Sequence, residues 1–513
     1  VSKNTKDCLD PWLLSLLILA GVLLFKNLGN AYLWEDEAIT ALLARSVLHF
    51  GYPAGFDGVN RINALVGADS PYWINEPWLP FYILAFFFRF FGESTFTARL
   101  PFALFGLGSI WLTYIFARKL YSDKWIARLA VLLLVFSVPF LLLMRTCRYY
   151  SFTLFFSLVS MIAFVKFVRK DRFAPISLTV ALIVLYFTNN GLWIPLVMAQ
   201  IIYLLSFYRT RKMLFQYTLI LFFNLMLAIP WYLIADTFSV GAKSGWDHHQ
   251  DNLELYARSI NKYIIPWVFW TCFFVIGYIY CRIKKNRAVA DLLKRTKEAF
   301  GSRSSMLLLF WILATLVFLI FVEQRFFRYL SSVYAAFVIL HAVIIRSLAQ
   351  SKLKRSLAVI LPLLLLTNIL HSPHLSSSPL AKYLYEITHD YDGPNEGIVR
   401  YLKKHAKKTD VVKLRYEDAP VMFYTGLKVD NRWYIEEETY PEWIIPRRPW
   451  AEEGFWTSEY YAKIQKRYER IEIPYPDIQW ENREDLGEHH FRTVQDAPKV
   501  LLFRRKEDQG GLS

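Results

Sequence analysis

The feature that most constrains this chain is a succession of twelve apolar runs between residues 12 and 370, most of them near the length that crosses a bilayer as a helix. They lie at about 12–28, 77–92, 98–118, 126–144, 150–168, 174–188, 191–207, 213–234, 264–281, 305–322, 328–346 and 355–370. With 55% hydrophobic residues and positive mean hydropathy, a soluble single domain is excluded. The chain reads as mainly α, a multi-pass helical bundle integral to a cell membrane.

The charges between the runs set the topology. Lys and Arg collect in the segments around 118–128, 166–172, 209–212, 282–297 and 346–355. Basic loops stay on the cytoplasmic side. If the run 77–92 does not cross and the N-terminus is cytoplasmic, every strongly basic loop falls inside; if it crosses, the bias inverts for the rest of the chain. The expectation is therefore about eleven spans, with 77–92 as a juxtamembrane helix that starts at Pro77 and Pro80 and carries Arg89. Lys3 and Lys6 before the first run read as the flank of a retained signal anchor. The formal charge of +16 is explained by these loops, so no nucleic-acid partner is expected. Four cysteines lie in or beside apolar segments without metal-ligand spacing.

This topology gathers the chemically capable residues on the outer face. A large first loop, about 29–97, carries Trp34-Glu35-Asp36-Glu37, Asp57, Asp69 and Glu76. A turn carries Arg145, Arg148, Tyr149 and Tyr150, and Asn189-Asn190 forms another. The segment 235–263 brings Asp247, His248, His249, Arg258 and Lys262, and a later turn brings Glu323, Arg325 and Arg328. Ionisable groups at membrane depth are costly and are functional candidates by default.

From about residue 372 the chain turns polar, giving two expected domains: a transmembrane domain over 1–371 and an extracytoplasmic α/β domain over 372–513. In the latter, 394–405 reads as a helix, 410–414 and 500–503 as strands, and 421–424 as a helix stopped by Gly426. The aromatic string from Trp433 to Trp456 reads as a packed aromatic surface.

Several phrases then resemble a known family. The Asp36-Glu37 pair after the first span, Asn75-Glu76-Pro77-Trp78-Leu79-Pro80-Phe81-Tyr82, Ala98-Arg99-Leu100-Pro101-Phe102, Ala117-Arg118-Lys119-Leu120-Tyr121, the turn Arg145 to Ser151 and Phe327-Arg328-Tyr329-Leu330 are similar in order and spacing to the GT-C membrane glycosyltransferases. The branch is that of the protein O-mannosyltransferases and the aminoarabinose transferase of lipid A. The resemblance implies GT-C architecture and transfer of a sugar, outside the cytoplasm, from a polyprenyl-phosphate donor to a hydroxyl or amine on a lipid, glycan or protein acceptor.

By that resemblance Asp36 is the catalytic base, with Glu37 as its fallback; on the residues alone, the acid cluster reads first as a solvated interfacial cluster or helix cap. Glu76 with His248 or His249 corresponds to a divalent-metal site, zinc or similar, and imidazole and carboxylate are ordinary zinc ligands. A leaving lipid phosphate needs fixed cations, for which Arg145, Arg148, Arg258, Lys262, Arg325 and Arg328 are the outer-face candidates. The chain departs from the family in two places. Pro77 stands where relatives often have Lys. No acid follows Arg148, where the sequence runs Tyr149-Tyr150-Ser151, so Tyr149, Glu37 or another group must replace a second acid. Two rivals remain: a transporter of lipid-linked sugars, with polar groups and broken helices at mid-membrane, and an inactive relative serving as a binding subunit.

Overall fold

The computed structural model describes residues 10–62, 71–235, 246–349, 378–414, 416–431, 440–450, 458–479, 482–484 and 486–506. The apolar run 355–370, the boundary expected at 371/372, Asp69 and most of the aromatic string 433–456 lie outside these residues. The chain forms two compact units, each built from two stretches: 1–26 with 102–384, and 27–101 with 385–513.

The first unit is helical. Its members are Pro11–Phe25, most of Thr95–Leu120, Lys124–Val135, Val138–Arg145, Tyr150–Val168, Ala174–Thr188, Asn190–Phe207, Arg211–Ala235, Trp246–Tyr263, Trp267–Lys284, Arg287–Phe300, Arg303–Ile320, a 3-10 segment Phe327–Val333 running into Tyr334–Ala349, and Pro379–Glu386. Six helices among the described residues are long and apolar enough to cross a membrane, or eight if each of two bent pairs is one crossing. The two fifteen-residue helices Pro11–Phe25 and Ala174–Thr188, together with 355–370, separate that count from the expected eleven. Fifteen residues rise only about 22 Å, short of the roughly 30 Å hydrocarbon core.

The run 126–144 is not one helix. Lys124–Val135 and Val138–Arg145 meet at 68°. Pro139, in the first turn of the second piece, has no N–H to continue the first helix, and the Ser137 hydroxyl at the break lies 2.7 Å from the Tyr334 hydroxyl. A second bend, of 79°, joins His248–Tyr263 to Trp267–Lys284 at Pro266. Helix approach is close at Gly106, where an added Cβ would stand 2.6 Å from Met144 Cβ.

The second unit joins the first loop to the C-terminal region. Helices Glu35–Phe50, Leu79–Phe91, Pro394–His405, Asp418–Thr425 and Glu459–Arg467 accompany strands β1 (Val411–Leu414), β2 (Lys428–Asp430), β3 (Trp443–Ile445), β4 (Tyr468–Pro476) and β5 (Lys499–Arg505). The sheet order is β2-β1-β3-β5-β4, with β1 parallel to both neighbours and β5 antiparallel to both of its own. The α/β character expected for this region is present, and the helix 394–405 and the strands near 411 and 500 are where the sequence places them. Ile444, Ile464, Tyr468, Leu501 and Phe503 form a core under one face of the sheet.

Candidate active site

The acidic stretch opens the helix Glu35–Phe50. Trp34 is extended, its N–H lies 3.4 Å from the Glu37 carboxylate, and all three acids fall in the first turn, where the helix dipole favours negative charge. Gly51, in the left-handed region at φ 83°, ends the helix.

The three acids have different surroundings. Glu37 is 1% exposed and accepts from Arg99 Nε at 2.8 Å and Nη2 at 2.6 Å, a bidentate pair. Arg99 also donates to the carbonyls of Leu28, Ala31 and Tyr32, tying down the segment that leads into the helix. Glu37 is thereby tied to Arg99 in the folded structure. Glu35 is buried and turned toward the C-terminal part of the unit, where its carboxyl accepts from the Ala419 N–H at 3.3 Å. Burial, followed by the charges of Asp418 and Glu417, raises the Glu35 pKa well above the usual glutamate range. Asp36, between them, is the one acid of the three that keeps solvent access. The half-buried Tyr416 phenol lies close enough to Glu35, Asp36 and Glu417 that burial and their charges raise its pKa.

Glu417 and Asp418 form a site that the sequence reading passed over. Glu417 sits at φ 61° and Arg447 at φ 47°, both left-handed without being glycine. Their side chains meet in a buried ion pair, and Arg447 also donates to Asp477 at 2.8 Å and to the Ile478 carbonyl at 2.7 Å. Elsewhere in the unit, a cavity of about 560 Å³ is lined by Phe56, Asn60, Arg61, Lys428, Asp430 and Tyr440 among others, a mixture of aromatic faces and charges that suits a polar ligand. Glu76 is half-buried in the bend that precedes Leu79–Phe91.

The first unit holds the cations, and they divide into two sets. Arg148 and Arg328 converge on a tyrosine pair. The Arg148 guanidinium lies 5.2 Å from the Tyr149 ring, Tyr149 packs edge-on to Tyr150 at 4.9 Å, and Arg328 lies 6.0 Å from Tyr150 and 3.9 Å from Phe326. Both arginines are less than a tenth exposed. Lys262 lies 4.9 Å from the Tyr263 ring, and Tyr263 packs edge-on to Phe327, the residue before Arg328.

The other cations are held elsewhere. Arg145 donates through Nη1 to the carbonyls of Leu23 and Lys26 and to the Tyr383 hydroxyl, so it caps the end of Pro11–Phe25. Arg258 is 80% exposed and paired with Glu254 one turn away on the same helix. Arg325 bridges Asp251 at 2.8 Å and His248 Nδ1 at 2.8 Å.

The histidine pair has a capping role too. His248 Nε2 lies 3.1 Å from the Val322 carbonyl, His249 Nδ1 lies 3.1 Å from the Ile320 carbonyl, and Asn252 donates to both carbonyls. These are orphan carbonyls at the end of Arg303–Ile320. With Nε2 donating to Val322 and Nδ1 accepting from Arg325, both His248 nitrogens are in use. Among the described residues no three His, Cys, Asp or Glu are grouped to hold a metal ion. The expected ligands lie in different units, Glu76 in the second and His248 and His249 in the first, and no step is derived through a metal.

Comparison with known proteins agrees with this architecture. The profile of the family described as Dolichyl-phosphate-mannose-protein mannosyltransferase matches residues 75–234. The structure of ArnT from Cupriavidus metallidurans in the apo state aligns with TM-score 0.55 at 14% identity, covering 82% of this chain and 85% of that one. This chain has the GT-C fold. The same ArnT bound to undecaprenyl phosphate aligns with TM-score 0.52 at 15% identity over the same shares of both chains. No significant match was found among curated protein sequences. The family match covers residues 75–234 of the 513, and the chain is an integral membrane protein of GT-C architecture.

Proposed function

We propose that the protein transfers a sugar from a polyprenyl-phosphate donor to a hydroxyl or amine acceptor on the extracytoplasmic side, with the N-terminus cytoplasmic and the second unit outside. The observation that carries this reading is the exposure pattern of the acidic triplet: Glu35 and Glu37 are buried, while Asp36 is half-buried at a helix N-terminus.

In the proposed step, the acceptor oxygen or nitrogen attacks the anomeric carbon as Asp36 takes its proton. The bond from that carbon to the phosphate oxygen breaks, and polyprenyl phosphate leaves with the electron pair. A positioned base of this kind is worth about 10²–10⁴-fold in rate. Displacement in one step inverts the anomeric centre. A lipid phosphate carries charge that fixed guanidinium groups stabilise, and the first unit offers Arg148 and Arg328, held at the Tyr149-Tyr150 pair, for its binding. Binding of undecaprenyl phosphate by the structurally similar ArnT supports a lipid-phosphate donor.

A second reading, transport of lipid-linked sugars, draws on the two bent helix pairs. Against it, the polar Asn224 within Arg211–Ala235 donates to the Ile220 carbonyl of its own helix, and the bends coincide with Pro139 and Pro266. The two readings separate in one assay. Purified protein in liposomes, given a panel of polyprenyl-phosphate sugars and acceptors, releases free polyprenyl phosphate and a glycosylated product if it is a transferase. Movement of intact donor across the bilayer without product overturns that conclusion.

A further inference from the structure

We infer that the second unit carries a binding site for an acidic sugar, one bearing a carboxylate or a phosphate, in the cavity of about 560 Å³ where the loop 55–62 meets the edge of the sheet. The inference draws neither on the acidic triplet nor on the proposed transfer. The cavity falls in the range usual for small-molecule sites, about 300–1,000 Å³.

The edge of the sheet builds the site. β2 is an outermost strand, so its outer N–H and C=O groups need partners. The Asn60 amide supplies them: Nδ2 donates to the Leu427 carbonyl at 2.9 Å, and Oδ1 accepts from the Val429 N–H at 2.8 Å. Asn60 is buried, and its loop is closed by hydrogen bonds from the Asp57 N–H to the Asn60 carbonyl and from the Ile62 N–H to the Gly55 carbonyl. Arg61, the next residue, is thereby fixed beside β2, exposed and in the cavity wall. Along β2 the side chains alternate: Val429 is buried, while Lys428 and Asp430 stand on the other face and line the cavity.

The charges of this wall do not cancel. Its two acids are each met by a cation from outside the lining: Lys413 Nζ lies 3.0 Å from Asp430, and Arg505 Nη2 lies 2.6 Å from Glu442. Arg61 and Lys428 are the lining's own cations, so with those two partners four cations meet two acids. A guanidinium fork and an ammonium lining one cleft suit an oxyanion, and a cleft with an excess of one sign focuses its field.

A bare anion leaves the rest of the wall unused. Phe56, 43% exposed, and Tyr440 add aromatic surface, and Tyr440 is braced by Arg467, whose guanidinium lies 4.1 Å from its ring. The negative face of an aromatic ring suits the polarised C–H groups on one face of a pyranose. Glu442 accepts from the Val411 N–H at 2.9 Å through Oε2 and from Arg505 through Oε1. A carboxylate has about four acceptor positions, so Glu442, 30% exposed, also has the capacity to accept from ligand hydroxyls. A ring face, hydroxyl donors and an oxyanion occur together in a uronic acid or a sugar phosphate.

The test is calorimetric titration of the full-length protein in nanodiscs of neutral lipid with glucuronic acid, glucose 6-phosphate, glucose and inorganic phosphate. At least one of the two acidic sugars is expected to bind about tenfold or more tightly than both glucose and inorganic phosphate, and the tighter of the two identifies the anion. The double variant Arg61→Ala/Lys428→Ala lowers that affinity by about tenfold or more. Phe56→Ala also weakens it, and Arg470→Ala, an exposed cation on β4 at the opposite edge of the sheet, leaves it unchanged. Acidic sugars that bind no more tightly than glucose overturn the inference on the wild-type protein alone. Wild-type affinity in the double variant overturns it too, and inorganic phosphate binding as tightly as the acidic sugars overturns the assignment to a sugar.

Discussion

Arg99 grips Glu37 with two parallel hydrogen bonds of 2.8 and 2.6 Å while its remaining donors hold three carbonyls of residues 28–32. One buried guanidinium thus fixes both the start of the helix Glu35–Phe50 and the strand of chain leading into it. Removing one member of a buried pair leaves the other charge uncompensated, at a cost of about 3–5 kcal/mol. Arg99→Met is expected to lower the unfolding midpoint in detergent by far more than a surface Arg→Met change, and Glu37→Gln to do so less, because the amide still accepts one of the two bonds. Equal stability of Arg99→Met and wild type would remove the structural role given to this pair.

Glu35 and Asp418 make stability pH-dependent. Burial and neighbouring acids raise the folded-state pKa of Glu35 above 4.5 and that of Asp418 above 3.8. From the ordinary carboxylate range upward the folded protein therefore binds more protons here than the unfolded chain. This contribution is fully present below the unfolded pKa values and is lost as pH rises through the folded ones. Denaturation of wild type and Glu35→Gln across pH should show a wild-type decline with rising pH that is reduced in the variant.

The helix-capping role of the histidines predicts insensitivity to chelators. His248→Ala removes a hydrogen bond to the Val322 carbonyl and the partner of Arg325, costing on the order of 1 kcal/mol in stability. Transfer activity after dialysis against EDTA is expected to match that of untreated protein. Loss on chelation with recovery on adding zinc would show that His248 exchanges its present partners for a metal.

Arg148 and Arg328 are expected to govern donor binding. A hydrogen bond to a charged group contributes about 1.5–3 kcal/mol, or roughly 10–100-fold in affinity. Arg328→Lys should raise KM for the polyprenyl-phosphate donor by that order, because a single ammonium does not reproduce the planar fork. Arg258→Ala, at an exposed surface position, should leave KM unchanged.

Much of this architecture was legible in the sequence, and what was not has identifiable causes. Apolar length placed the helices, since a bilayer imposes it directly. The break at Ser137-Val138-Pro139 was hidden because both halves of 126–144 are apolar, although Pro139 was a signal for it. The acid cluster was visible, yet sorting its members needed partners distant in the chain: Arg99 lies 62 residues from Glu37, and Ala419 lies 384 from Glu35. Period and composition carry no such information. Nothing in the sequence pattern singles out Glu417-Asp418, and the left-handed backbone at Glu417 and Arg447 is seen only in the fold.

The most direct test of the account is the rate of sugar transfer from a polyprenyl-phosphate donor by Asp36→Asn, measured beside wild type at equal amounts of folded protein. The account predicts a fall in kcat of about 10²–10⁴-fold with donor KM little changed. Transfer at the wild-type rate would contradict it.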